Sequence, residues 1–237
     1  MDRHPTVAIA RRSLSLSKTY LILSIAIAAN GLLFPQLGSI LSRDVVPPRS
    51  GVADFQGSVP LLSIPLLTIS VQTIAIPVVL LYVYDRNTGV LERFLSLGMS
   101  QSDVYRRYLK ASMLLSLSFL SLVLAAHIGA SLLLKTRATI IFETSVLLVV
   151  LSISVVALVG MSMMAFSSLQ RQRVGANQPV GLAIGGLAVI PDYIIPFIFP
   201  RVTAVLVELA IALAIASAAV ALLFLSKRLI SREKLLP

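Results

Sequence analysis

Six polar side chains lie inside long apolar runs of this sequence: Asn30, Gln72, His127, Glu143, Asp192 and Glu208. Amide and ionisable groups are costly inside a bilayer, so each is a candidate for function. The chemistry open to them is narrow. The chain has no cysteine, which excludes disulfides, thiolate nucleophiles and cysteine metal sites. Its two histidines, His4 and His127, are too few and too far apart for a histidine metal cluster. There is no H-E-x-x-H, and "GMSMM" at Gly160 to Met164 lacks the closing glycine of a nucleophile elbow. Only His127 could serve as an intramembrane base. No catalytic residue and no metal ligand is therefore assigned, and an enzyme is not expected. Asn30, Gln72 and His127 stand as candidate pathway residues. The first two are equally suited to interhelical hydrogen bonding, and His127 to hydrogen-bonded packing. Glu143, Asp192 and Glu208 fall near the outer ends of their runs, where solvation is expected.

The elements that must position these residues are apolar helices. The sequence has 237 residues, 57% hydrophobic and 13% charged, with a mean hydropathy of +0.93. A soluble domain carries about a quarter charged residues. The expected fold is an all-α integral membrane protein forming one transmembrane domain, residues 1–237. About 20 apolar residues cross the hydrocarbon core as a helix. Six runs qualify: about Tyr20 to Leu41, Ser58 to Tyr84, Ala111 to Leu134, Ile140 to Phe166, Val180 to Phe199 and Val202 to Leu225.

With both termini cytoplasmic, fifteen of the twenty Lys and Arg fall on the inner face, and the acidic residues split evenly. The whole net charge of +10 then sits on one side. That bias follows the positive-inside rule, which supports six spans in this direction and removes the need for a nucleic-acid partner. A plasma-membrane, multi-pass location follows.

Proline and glycine punctuate the spans. Pro65 and Pro77 are expected to kink the second. Pro191, Pro196 and Pro200, in "VIPDYIIPFIFPRV", predict a broken or re-entrant segment, because proline interrupts a helix. Gly181, Gly185 and Gly186, and Ala210, Ala214 and Ala218, form small-residue faces for close helix contact. The basic N-terminal segment, residues 1–19, precedes what is expected to be a signal-anchor span rather than a cleaved peptide. Thr6 to Ser17 fits either a short interfacial helix, with Val7, Ile9 and Leu14 toward lipid, or a disordered basic tail. Residues 226–237 form a cytoplasmic tail.

The polar segment of residues 85–110 has its own pattern. Asn87 and Thr88 are N-cap types, and Glu92 suits a first helical turn. Val90, Leu91, Phe94 and Leu95 recur at helical spacing, which predicts a short helix over about Thr88 to Leu97 with Gly98 as its stop. "SQSD", Ser100 to Asp103, matches a capping box and starts the next helix. Such a helix either lies on lipid headgroups or docks a partner in a groove.

"YDRNTGVLERFLSLGMSQSDVYRRYLKA" resembles the segment after the second span in the type-2 family of ABC transporter permeases. Gly89, Val90, Leu91, Glu92, Phe94, Leu95, Leu97 and Ser100 carry the match. The six-span layout agrees with it, whereas the connection between spans five and six is shorter than in many members. The resemblance implies a G-type exporter fold in which this segment is the coupling helix for an ATPase subunit. It implies a second cytoplasmic contact in "SLQRQRVGANQ", including Arg171 and Arg173, and a connecting helix in the N-terminal stretch. The chain has no G-x-x-x-x-G-K-[ST] loop, so it holds no ATP by that route. ATP and Mg would be bound by the partner. The implied assembly has two ATPase copies and a second permease chain, identical or similar. Sparse charge in the spans points to an apolar or amphipathic cargo such as a lipid, peptide or drug. The alternative is an ATP-independent channel or secondary transporter, which has no need of the 85–110 segment to bind an ATPase.

Overall fold

A computed structural model of the chain describes residues 5–16, 18–45, 59–169 and 178–229. Nine α-helices occupy these residues: α1 (Pro5–Leu16), α2 (Lys18–Val45), α3 (Ser63–Thr73), α4 (Ile76–Asn87), α5 (Val90–Ser96), α6 (Gln101–Leu133), α7 (Ala138–Leu169), α8 (Gln178–Ile198) and α9 (Arg201–Leu229). A 3-10 turn, Val59–Leu62, leads into α3. Over its described residues each of the six apolar runs is mainly helical. Four stretches are long and apolar enough to cross a membrane: Ser63–Asn87, Asp103–Leu133, Ala138–Ser162 and Arg201–Leu222. A fifth arises if α1 and α2 are counted as one span bent by 85°. The protein is an all-α, multi-pass membrane-embedded chain.

The α3–α4 pair and α7 form the centre. Of the apolar window in Ser63–Asn87, 83% is buried by the rest of the chain, against 17% for Arg201–Leu222 at the periphery. Helix α7 touches α3, α4, α6, α8 and α9, and α2 lies along α3. Lipid tails are as apolar as leucine, so helix association here rests on close packing and polar contact rather than on escape from water. Gly31 supplies the approach of α2 to α3, since a Cβ there would stand 3.0 Å from Leu66 and Leu67 side-chain atoms. Ser152 of α7 reaches Thr68 of α3 at 3.4 Å. Many remaining hydroxyls bond back within their own helix, as Ser70 does to Leu67 O, Ser154 to Val150 O and Ser217 to Leu213 O. This back-bonding is how apolar helices tolerate so much serine.

Several expectations change. The second run is broken at Ile74 and Ala75, between α3 and α4, and Pro77 sits in the first turn of α4, where its missing N–H is least costly. Helix α8 runs without interruption through Pro191 and Pro196, so no re-entrant break separates it from α9. Only Phe199 and Pro200 connect the two helices, and Pro200 O accepts from Ala204 N. Each internal proline deletes one helical bond without reversing the chain. The N-terminal stretch is helical, but Ile9 and Leu14 pack against the core rather than facing outward, alongside buried Thr6, Ala10 and Ser13. On α9 the inward face is Ala204, Glu208, Ala212 and Ala219, whereas Ala210, Ala214 and Ala218 are exposed.

Candidate functional site

A polar cluster forms at the junction of α1, α4, α5 and α6, where the end of α4 meets the start of α6. Helix α6 has 33 residues. At 1.5 Å per residue it is about 50 Å long, longer than the roughly 30 Å hydrocarbon core. Its first turns pack beside α5. The capping box forms as the sequence predicts: Ser100 is extended, its Oγ accepts from Asp103 N at 3.2 Å, and it donates to Asp103 Oδ2 at 2.6 Å. Helix α5 ends in a Schellman motif. Gly98, at φ +84°, donates to Leu95 O, and Met99 N donates to Phe94 O.

The start of α5 differs from expectation. Asn87 is the last residue of α4, and Thr88 turns its hydroxyl back to Tyr84 O at 3.0 Å. The cap is Gly89, at φ +73°, with Glu92 folded toward it. Glycine is the residue that adopts this conformation without strain. Helix α4 continues one turn further than the cap residues suggest, because Thr88 satisfies its final carbonyls instead of opening the next helix.

The apolar side of α5 faces the protein. Leu91 is buried, and Phe94 and Leu95 pack against the core. Val90 is half-buried, whereas Glu92, Arg93, Ser96 and Leu97 are exposed, Leu97 at 79%. Behind α5 lies a cavity of about 220 Å³, lined by Ile9 and Arg12 of α1, Phe94 of α5, Met99, and Val104 and Arg107 of α6.

The strut holding this junction was not anticipated from the sequence. Asp85, at the end of α4, is buried and accepts from Tyr108 Oη of α6 at 2.5 Å and from Arg12 Nη1 of α1 at 3.2 Å. Arg12 Nη2 also stands 3.0 Å from Asp85 Oδ1. That oxygen has no aligned hydrogen bond, so the contact is electrostatic. Tyr82 sits edge-on to both Tyr105 and Tyr108, with ring centroids 6.4 and 5.3 Å away. Tyr105 Oη donates to Met161 O of α7 at 3.2 Å. The spacings Tyr82/Asp85 and Tyr105/Tyr108 put each pair on one helix face. That was the available signal; the partner, 73 residues away on α1, was not legible.

The candidate pathway residues do not converge. Asn30 is exposed on α2 and donates to Ala26 O of its own helix. Gln72 is buried against α8, where a Cβ on Gly185 would fall 1.9 Å from its Nε2. His127 is buried with Nε2 3.0 Å from Thr144 Oγ1. The Thr144 hydroxyl donates to Ile140 O at 2.8 Å, so it accepts from His127, which carries its proton on Nε2. A cavity of about 30 Å³ beside His127, near Gly31 and Ser131, has room for one water. Glu143 is partly exposed and ion-paired with Arg201 of α9. Asp192 and Glu208 are not solvated; both are fully buried. Their helices pack there on α7 and on each other, which a linear sequence does not reveal. Arg171 and Arg173 lie outside the described residues. Among the described residues no group of acidic or histidine side chains could hold a metal ion.

Comparison of the chain with protein-family models, with curated proteins and with solved structures finds no match.

Proposed function

We propose that this chain is the membrane-spanning permease subunit of an ATP-binding-cassette transporter. It would have six spans with both termini cytoplasmic and would export an apolar or amphipathic substrate. A separate ATPase subunit, in two copies, would drive it, with a second permease chain completing the pore. The observation that carries the reading is the α5 unit, a seven-residue helix fixed at both ends by a left-handed glycine and a Schellman stop. It packs on α4 and α6 and presents Glu92, Arg93, Ser96 and Leu97 outward. A rigid unit clamped to two helices suits the entry of force from a partner. The inward packing of Leu91, Phe94 and Leu95 gives these residues a transmitting role, with the partner's grip on the exposed edge.

The test is affinity purification of the full chain from its native membrane, with companions identified by mass spectrometry. A stoichiometric companion bearing a phosphate-loop ATPase is expected. It should be lost in E92K/L97D while the thermal melt of the membrane domain is unchanged. A chain that purifies alone in several detergents overturns the proposal. The alternative of an ATP-independent secondary transporter draws on the buried carboxyl pair of α8 and α9.

A further inference from the structure

Asp192 of α8 and Glu208 of α9 expose no surface at all. None of their four carboxyl oxygens has a hydrogen-bond partner. The two groups lie within electrostatic reach of each other. Among the described residues no counter-charge bonds to them. Helix α3 and the turn Val59–Leu62, both packed on α8, contain no ionisable residue. Helix α7 contains one, Glu143, which is engaged by Arg201 of α9. The other basic residues of α9, Lys227 and Arg228, lie 19 or more positions along the chain from Glu208. On α8 itself the one other ionisable residue is Tyr193. Helix α4 carries Tyr82, Tyr84, Asp85 and Arg86 in its final turns; Tyr82 and Asp85 belong to the α1–α6 junction, Tyr84 is exposed, and Arg86, though buried, makes no hydrogen bond to either carboxyl.

An uncompensated buried carboxylate costs several kcal/mol. In this packing both groups are therefore held as neutral acids. Even neutral acids without partners are a liability that an apolar residue of similar size would avoid. A second arrangement in which they are hydrated would account for their presence. Helix α8 is built to allow one. Pro191 and Pro196 flank Asp192 and delete the helical bonds to the carbonyls of Leu187 and Asp192, which loosens the helix at the acid.

We propose that Asp192 and Glu208 form a proton-binding site, loaded while α8 and α9 are packed together and discharged when they part. On parting, water enters, each O–H bond breaks, and the proton passes to water. The two adjacent carboxylates then repel and hold the helices open until both are protonated again. The site requires only this chain, so it stands whether or not an ATPase drives the domain.

The test uses the full chain reconstituted in liposomes and infrared detection of un-ionised carboxyl groups at neutral pH, where exposed carboxyls are ionised. A protonated-carboxyl carbonyl band is expected, exchanging slowly in deuterated water. D192N and E208Q should each remove about half of it, D192N/E208Q should remove all of it, and E143Q should leave it intact. Absence of the band at neutral pH, or its survival in the double variant, overturns the proposal. The wild type provides a check that needs no variant. Its unfolding midpoint should fall as pH rises from about 4, where unfolded carboxyls ionise, through neutral, since the folded state still holds protons that the unfolded state has released. A midpoint flat over that range overturns the proposal as well.

Discussion

Asp85 is the residue on which the polar end of the bundle converges, because three helices meet at one buried carboxylate. Its two partners differ in value. Tyr108 is sealed with it, whereas Arg12 remains 47% exposed. A hydrogen bond to a buried charge contributes about 1.5–3 kcal/mol, and an ion pair with a half-exposed arginine about 0–1 kcal/mol. Y108F is therefore expected to lower stability by about 2 kcal/mol and R12Q by under about 1 kcal/mol, measured by thermal unfolding in detergent. A larger loss in R12Q would place the strength of the strut in the ion pair. Gln72 and Gly185 form a second point of interlock. G185A is expected to destabilise the domain, and Q72A/G185A to recover most of the loss, since removing the amide makes room for the new methyl group. Equal damage in single and double variants would show that the glycine is needed for backbone reasons instead.

At the scale of elements, α5 and the start of α6 are specified locally. Ser100→Ala is expected to cost about 1 kcal/mol and to speed amide exchange over residues 101–104, with little effect on α7. Leu91→Ala removes the anchor of α5 and should cost about 2–5 kcal/mol. That loss should appear as accelerated exchange across α5 before global unfolding. Exchange changes spread evenly over the bundle would argue that α5 is not a separate unit. These elements were legible in advance because caps and stops are chemistry between neighbours. Ser100 finds Asp103 three residues on, and Gly98 adopts a left-handed turn that few other residues tolerate. Thr88 misled because α4 and α5 compete for it, and the longer helix wins.

For the whole molecule, sidedness decides which helix ends a cytoplasmic partner can reach. The chain has no cysteine, so single cysteines can be introduced without background. Lys18→Cys and Lys110→Cys are expected to react with a membrane-impermeant maleimide from one face, and Lys135→Cys and Arg137→Cys from the other. Labelling of Lys18→Cys and Lys110→Cys from opposite faces would rule out the arrangement of six spans with cytoplasmic termini. The exposed Ala210, Ala214 and Ala218 face of α9 lies on the outside of this chain, opposite the alanines used against α7.

The sequence by itself determined the helical membrane architecture, because apolar runs of membrane length have no other way to satisfy their backbone. It also determined the Gly98 stop of α5 and the Ser100 capping box of α6, which depend on residues within a few positions. Tertiary structure alone decided the fate of the polar groups. Asp192 and Glu208 sit near the ends of their runs, where solvent is the natural expectation, yet helices far apart in the chain close over them. Asp85 meets Arg12 only because α1 folds back across α4 and α6. Pro191 and Pro196 stay within α8 because neighbouring helices hold a segment that its own hydrogen bonds would not. Burial and pairing are properties of what packs opposite a residue, and that partner is not written in the residue's own neighbourhood.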